Sequence, residues 1–142
     1  MTLHLIKLCV GADSVEDLTD WQDRRLAEAK RTGRRPATWH TTRMWPKREA
    51  ELLDGGSLYW VIKGLIQCRQ QLVGFEEERG EDGIRRCRIL LDPEIVSTEI
   101  APKRAFQGWR YLKSTDAPRD AAKVYGDTPR ALAAELAALG LL

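Results

Sequence analysis

The sequence predicts an α+β domain built on a small curled β-barrel or sheet of antiparallel and mixed strands. One long helix lies in its N-terminal half, followed by a short helix and a C-terminal helix. Three observations carry this. Five or six short segments have the alternating or continuous apolar pattern of strands. Glycines inside the most hydrophobic of them mark bends of the kind that curl a sheet. Strands and helices also fail to alternate in the βαβ rhythm of a parallel sheet. The 142 residues match the commonest size of one domain. No linker, repeat or low-complexity segment divides them, so residues 1–142 are expected to form a single domain.

The elements follow in order. "LHLIKLCV" (3–10) alternates and reads as a buried first strand, with His4 an ordinary strand residue. "SVEDLTDWQDRRLAEAKR" (14–31) opens with Ser14 and Asp17 at capping-box spacing, carries its acids early and its bases late, and stops near Gly33. That pattern predicts a helix of about four turns, with Trp21 on its packed side. "RPATWHTT" (35–42) predicts a second strand. "WPKREAELLDGG" (45–56) predicts a short helix with Pro46 in its first turn and Gly55-Gly56 as its stop. "SLYWVIKGLIQCRQQLVGFEEE" (57–78) is the richest β region, with Tyr59 and Trp60 as core and Gly64 and Gly74 as bends. A turn at 79–83 leads to an antiparallel return at 84–91, a further strand at 94–101, and a loop entering a last strand within 102–112. "TPRALAAELAALG" spaces Leu132, Leu136 and Leu139 on one helical face, with Thr128 as cap, Pro129 next and Gly140 as stop.

Composition excludes several classes. With 43% hydrophobic and 31% charged residues the chain is neither disordered nor membrane-spanning. The first residues have no charged leader region, so a cytoplasmic protein is expected. Cys9, Cys68 and Cys87 form no paired spacing and are expected to be reduced. Two histidines, His4 and His40, offer no metal-ligand cluster. Nucleophile elbows and phosphate-binding glycine loops are absent as well, so neither metal nor cofactor is expected.

The net charge of +2 conceals segregation. Between Arg24 and Arg48 nine basic residues face one acid, Glu28, and between Lys103 and Lys113 there are four basic residues and no acid. Such a chain can turn a positive face to a polyanion. Within these stretches aromatics interleave with the bases: Trp39, Arg43, Trp45, Lys47 and Arg48 in the first, and Lys103, Arg104, Gln107, Trp109 and Arg110 in the second. Guanidinium and ammonium groups neutralise phosphates, indoles stack on bases, and a glutamine amide can read a base edge. Trp45 and Trp109 serve equally well as plugs under neighbouring elements, and Arg43 and Arg110 as partners for the acids of the first helix.

"RMWPKR", "SLYWVIKG" and "FQGWRYL" are segments through which the chain resembles an uncharacterised bacterial domain-of-unknown-function family of about this length. "HTTRMWPKREAELLDGGSLYWVIKG" also resembles the strand, helix, glycine, strand passage of PUA-like domains (the PUA, ASCH and EVE groups), with Gly55-Gly56 where many of these have Gly-Asp. The second resemblance implies a barrel with RNA or a modified nucleotide bound in a cleft beside it. The favoured expectation is therefore a non-enzymatic nucleic-acid-binding module whose cleft is walled by residues 39–48 and 103–113, with no membrane partner and an open oligomeric state. Two alternatives stand beside it. One is a small ASCH-like hydrolase of a modified nucleoside, drawing on Lys63, Thr41, Thr42 and Glu49; the other is a protein-interaction domain.

Overall fold

The computed structural model describes residues 2–33 and 38–124. The predicted C-terminal helix and the first residues of the second predicted strand lie outside them. The elements are β1 (Leu3–Leu8), α1 (Val15–Arg31), β2 (Thr38–Thr42), α2 (Glu49–Leu52), β3 (Ser57–Ile62), β4 (Leu65–Arg79), β5 (Arg85–Leu91), β6 (Val96–Pro102), β7 (Trp109–Lys113) and α3 (Ala121–Val124). The α+β class stands.

Local chemistry explains most of the boundaries. Ser14 caps α1, its hydroxyl accepting from the Asp17 amide at 3.1 Å, while the Asp17 carboxylate reaches back to the Asp13 amide at 3.0 Å. β3 and β4 are joined by only Lys63 and Gly64, both at positive φ (52° and 75°). That geometry is the two-residue hairpin turn whose twist matches the flanking strands, so Gly64 ends one strand and begins the next instead of bending a single one. Gly74 does sit at an irregularity, where the β4–β5 register shifts between Leu72 and Gly74.

The 15-residue β4 organises the sheet. Its first half pairs with β3 along one edge and with β6 along the other; its second half pairs with β5. Strand order is β2-β5-β4-β3-β1-β7, with β6 off this path on β4 and β1 parallel to β3 in an otherwise antiparallel arrangement. The expected barrel is not closed. β2 and β7 are the two ends of an open seven-stranded sheet, because the β2–α2 loop meets β7 through side chains and not through a ladder of backbone hydrogen bonds.

The curl gives the sheet an inner and an outer face. Leu3, Leu5, Leu58, Trp60, Cys68, Leu72, Cys87, Ile89, Leu91 and Trp109 fill the inner face, and α1 covers it with Val15 and Leu18. At its centre Gln70 is fully buried, and its side-chain oxygen accepts from Gln22 (2.8 Å) and from the Trp60 indole (2.9 Å). Its side-chain nitrogen donates to Gln22 (2.7 Å) and to the Asp92 carbonyl (3.0 Å). Both lone pairs of its oxygen and both of its N–H donors are thus used, which is what burying an amide requires. A smaller cluster, including Ile6, Tyr59, Val61, Phe106 and Leu112, forms the outer face of the same strands.

The short helix is shorter than predicted. Pro46 is buried in the loop before it, and α2 begins only at Glu49. The amides of Lys47 and Arg48, which a longer helix would present at its N-terminus, instead donate to the Tyr111 hydroxyl.

Candidate nucleic-acid interface

The two basic-aromatic segments do meet, but through their aromatic and backbone groups. Trp109 and Tyr111 alternate with Arg110 along β7, so two point inward and one outward. Trp109 is 6% exposed, and its indole N–H donates to the Met44 carbonyl at 2.8 Å. The Tyr111 hydroxyl accepts from Lys47 N at 2.9 Å and Arg48 N at 3.2 Å, and the Arg48 guanidinium lies 5.6 Å above its ring. Trp45 packs against the inner core with Arg85 4.9 Å over its outer side. These indoles hold the β2–α2 loop onto β7.

The remaining basic residues of the two segments point elsewhere. Arg110 lies on the outer face, 4.8 Å over the Phe106 ring. Lys103 donates its amide to the Gly64 carbonyl, and exposed Arg104 and Gln107 follow in the loop beside it. Arg43 and Lys47 are exposed, and Arg48 is paired with Glu51. Trp109 and Arg110, expected on one cleft wall, therefore lie on opposite faces of one strand.

A different cluster gathers around Trp39. Strand register sets Thr41 opposite Arg88 and Trp39 opposite Leu90, which puts Trp39, Thr41 and Arg88 on one outward surface. Arg25 reaches across from α1 and donates to the Trp39 carbonyl at 2.9 Å. Its guanidinium lies 4.0 Å over Trp21 and 5.2 Å over Trp39, and Arg88 lies 4.9 Å over Trp39. Indole, guanidinium, indole, guanidinium thus follow one another, an arrangement in which each cation faces the negative face of a ring.

Carboxylates flank the Arg88 end of the stack, with Glu76 the cross-strand pairing partner of Arg88. Glu78 approaches Arg88 at 3.5 Å and also accepts from the Thr41 hydroxyl at 2.8 Å, and these contacts hold its carboxyl below the usual range. Arg25 is pulled below the ordinary arginine value by burial and then by the charge of Arg88. The Arg88 Nε is buried with no hydrogen-bond partner among the described residues. Beside the stack, a cleft of about 540 Å³ is lined by Cys9, Leu18, Trp21 and Arg24 together with the acids Asp17 and Asp20.

Behind β2 the inner face is also positive. His40 stands edge-on to Trp60 at 5.2 Å and is pushed down to about 4 by burial and by the charges of Lys7 and Arg25. Burial likewise lowers Lys7, and it raises the Cys9 thiol to about 11. Cys9 is thus a protonated thiol at neutral pH, not a nucleophile.

A family model for proteins of unknown function, DUF1489, matches residues 5–142. The chain belongs to the DUF1489 family. No curated protein and no solved structure matches it. The match runs from β1 onward, so both contact segments and the whole arginine-indole stack of this DUF1489 chain lie within it.

Trp21, expected on the packed side of α1, is 38% exposed and caps the stack. Its spacing of four from Arg25 places the two one above the other on a helix, a signal that was available in the sequence. Arg88 carried no such signal, because only the β2–β5 register brings it to Trp39. No group of three or more histidine, cysteine or carboxylate side chains among the described residues forms a metal site, and no described helix is long and apolar enough to cross a membrane.

Proposed function

We propose that this chain is a binding module for RNA or a modified nucleotide, with phosphate received at the Trp21–Arg25–Trp39–Arg88 stack and a base in the adjoining cleft. One observation carries the reading: two guanidiniums converge on the Trp39 ring, close enough for the charge of Arg88 to lower Arg25, and the Arg88 Nε is buried with no hydrogen-bond partner among the described residues. An entering phosphate relieves that like-charge strain and offers acceptors to the arginines. Trp21 presents a partly open ring for base stacking, and the Asp17 and Asp20 carboxylates in the cleft lining suit the amino groups of a base while disfavouring a second phosphate. Exposed Arg43 and Lys47 supply further positive charge on the segment that follows β2. The PUA-like resemblance of the 40–64 passage points to the same ligand class.

The hydrolase alternative requires a lysine and a carboxylate together in a concave pocket. Lys63 does approach Asp13, at 3.6 Å, but the two side chains are 63% and 80% exposed. Thr41 is committed to Glu78. The geometry at the groups proposed for catalysis therefore favours binding.

Fluorescence anisotropy with a labelled single-stranded RNA, at several salt concentrations, tests the proposal. Affinity falls with salt, and Trp21→Ala, an exposed site that leaves the fold intact, weakens binding by roughly tenfold or more, the value of one stacked base. Absence of salt-dependent binding by the folded chain at low ionic strength overturns it.

A further inference from the structure

On the outer face of the sheet a second cavity, of about 380 Å³, opens between β1, β3, β4 and the segment 114–120 that crosses them. Register builds it. Tyr59 is the pairing partner of Arg69, and Ser57 lies two residues before Tyr59 on the same face. His4 is beside Ser57, since its neighbour Leu5 pairs with Leu58 in the parallel β1–β3 ladder. The lid is Asp120, held by a bridge to Thr98 and by a forked ion pair with Arg69 at 2.8 and 3.0 Å.

The hydrogen-bond count in this cavity is lopsided. His4 Nδ1 accepts from the Ser57 amide at 3.0 Å, so in the neutral ring the proton is on Nε2. Arg69 Nη1 donates to Ser57 Oγ at 3.1 Å, leaving the Ser57 proton to donate in turn. The Tyr59 hydroxyl and His4 Nε2 have no partner among the described residues, although the two residues are only 5% and 8% exposed. His4 stands edge-on to the Tyr59 ring, 5.1 Å between centroids, which fixes both rings. Burial and the charge of Arg69 hold His4 below its ordinary value, and burial raises Tyr59, so at neutral pH the imidazole is uncharged and the phenol retains its proton. Three donors, from His4, Tyr59 and Ser57, remain at the wall of one cavity, while the carboxylate there is engaged with Arg69.

We infer that this cavity binds a small molecule through an oxyanion group, a carboxylate or a phosphate, held by His4 Nε2–H, the Tyr59 hydroxyl and the Ser57 hydroxyl beside the Arg69 guanidinium. These donors open onto the cavity, since Arg88 Nε alone among the described residues is a buried side-chain polar atom without a hydrogen-bond partner, and a group rich in acceptors is what donors converging on one wall hold. The volume accommodates more than the oxyanion alone, so the ligand is an acid or phosphate ester of metabolite size. Arg119, exposed at the rim and 3.5 Å from Glu99, adds positive charge at the entrance. The site shares no residue with the arginine-indole stack, and neither proposal depends on the other.

Sodium phosphate and sodium acetate, titrated in turn into the full chain at constant ionic strength, distinguish the sources. The readout is the NMR signals of the His4 ring nitrogens and the Tyr59 ring. Saturable shifts with one salt alone assign that oxyanion; saturable shifts with both assign the shared chemistry. Tyr59→Phe keeps the ring and the packing and lowers the affinity about tenfold or more, the loss of one hydrogen bond to a charged group. Arg69→Gln lowers it further, and if that variant is poorly folded the Tyr59→Phe comparison alone decides. Shifts absent with both salts, linear without saturation, or unchanged in Tyr59→Phe overturn the assignment.

Discussion

Replacing Gln70 by leucine removes the hub that ties α1 to the sheet. The substitution nearly conserves volume, so the packing loss is small and the cost is polar. Two partners remain buried without replacements: the Trp60 indole N–H and the Gln22 amide, whose residues are 1% and 4% exposed. The Asp92 carbonyl is less enclosed, and water can take over its bond. At about 1 to 3 kcal/mol for each orphaned group, the expected loss is about 2 to 6 kcal/mol. That is a large share of the roughly 5 to 15 kcal/mol available to a domain of this kind. Urea unfolding followed by tryptophan fluorescence and by far-ultraviolet circular dichroism measures it. Gln22→Leu combined with Gln70→Leu recovers part of the loss, since both members of the pair are then apolar. Because α1 also carries Trp21 and Arg25, Gln70→Leu weakens RNA binding by loosening one side of the stack. A loss below about 0.5 kcal/mol, as for an ordinary surface position, would refute the reasoning.

Other outcomes follow from the same geometry. His40 takes its proton near pH 6.5 when unfolded and only near 4 when folded. The unfolded state therefore binds more protons between these values, and stability falls as the pH drops through that window, by at most about 3 kcal/mol. His40→Gln removes this component, as urea midpoints at pH 4 and 7 reveal. Tyr111→Phe leaves the Lys47 and Arg48 amides without their acceptor; hydrogen exchange at those two amides accelerates, with about 1 kcal/mol of stability lost. Gly56→Ala is far more damaging than Gly55→Ala, because a Cβ at 56 runs into the carbonyls of Leu3 and Leu52, whereas a Cβ at 55 meets open space. The second substitution costs only the strain of positive φ (84°), about 1 kcal/mol, and thermal melting of the two variants ranks them. Arg88→Leu removes the cation whose charge depresses Arg25 and abolishes most of the salt dependence of RNA binding contributed by the stack, read by anisotropy at two ionic strengths.

What could be read from the sequence was local. The α1 cap at Ser14, the β region at 57–78 and the turn at 79–83 each depend on residues a few positions apart, and each appears where predicted. Pro46, expected in the first turn of a helix, lies instead in the loop before α2. What decides this is the Tyr111 hydroxyl, sixty-odd residues away, which takes the Lys47 and Arg48 amides that a longer helix would leave unpaired. Closure of the barrel failed to follow for a similar reason: curvature was legible in the glycines, but whether β2 and β7 pair depends on how far the curl proceeds.

For the candidate site the sequence supplied the residue types, aromatic and basic side chains in "WHTTRMWPKR" and "FQGWRYL", and predicted that the two passages come together. Tertiary structure decided what their meeting does. Alternation along β7 sends Trp109 inward to the Met44 carbonyl and Arg110 outward to Phe106, and the β2–β5 register hands Trp39 to Arg88. Composition, caps and turns are fixed by energies acting within a few residues. Which face a side chain takes, and which distant group it meets, is fixed by strand register and by the burial of one shared core.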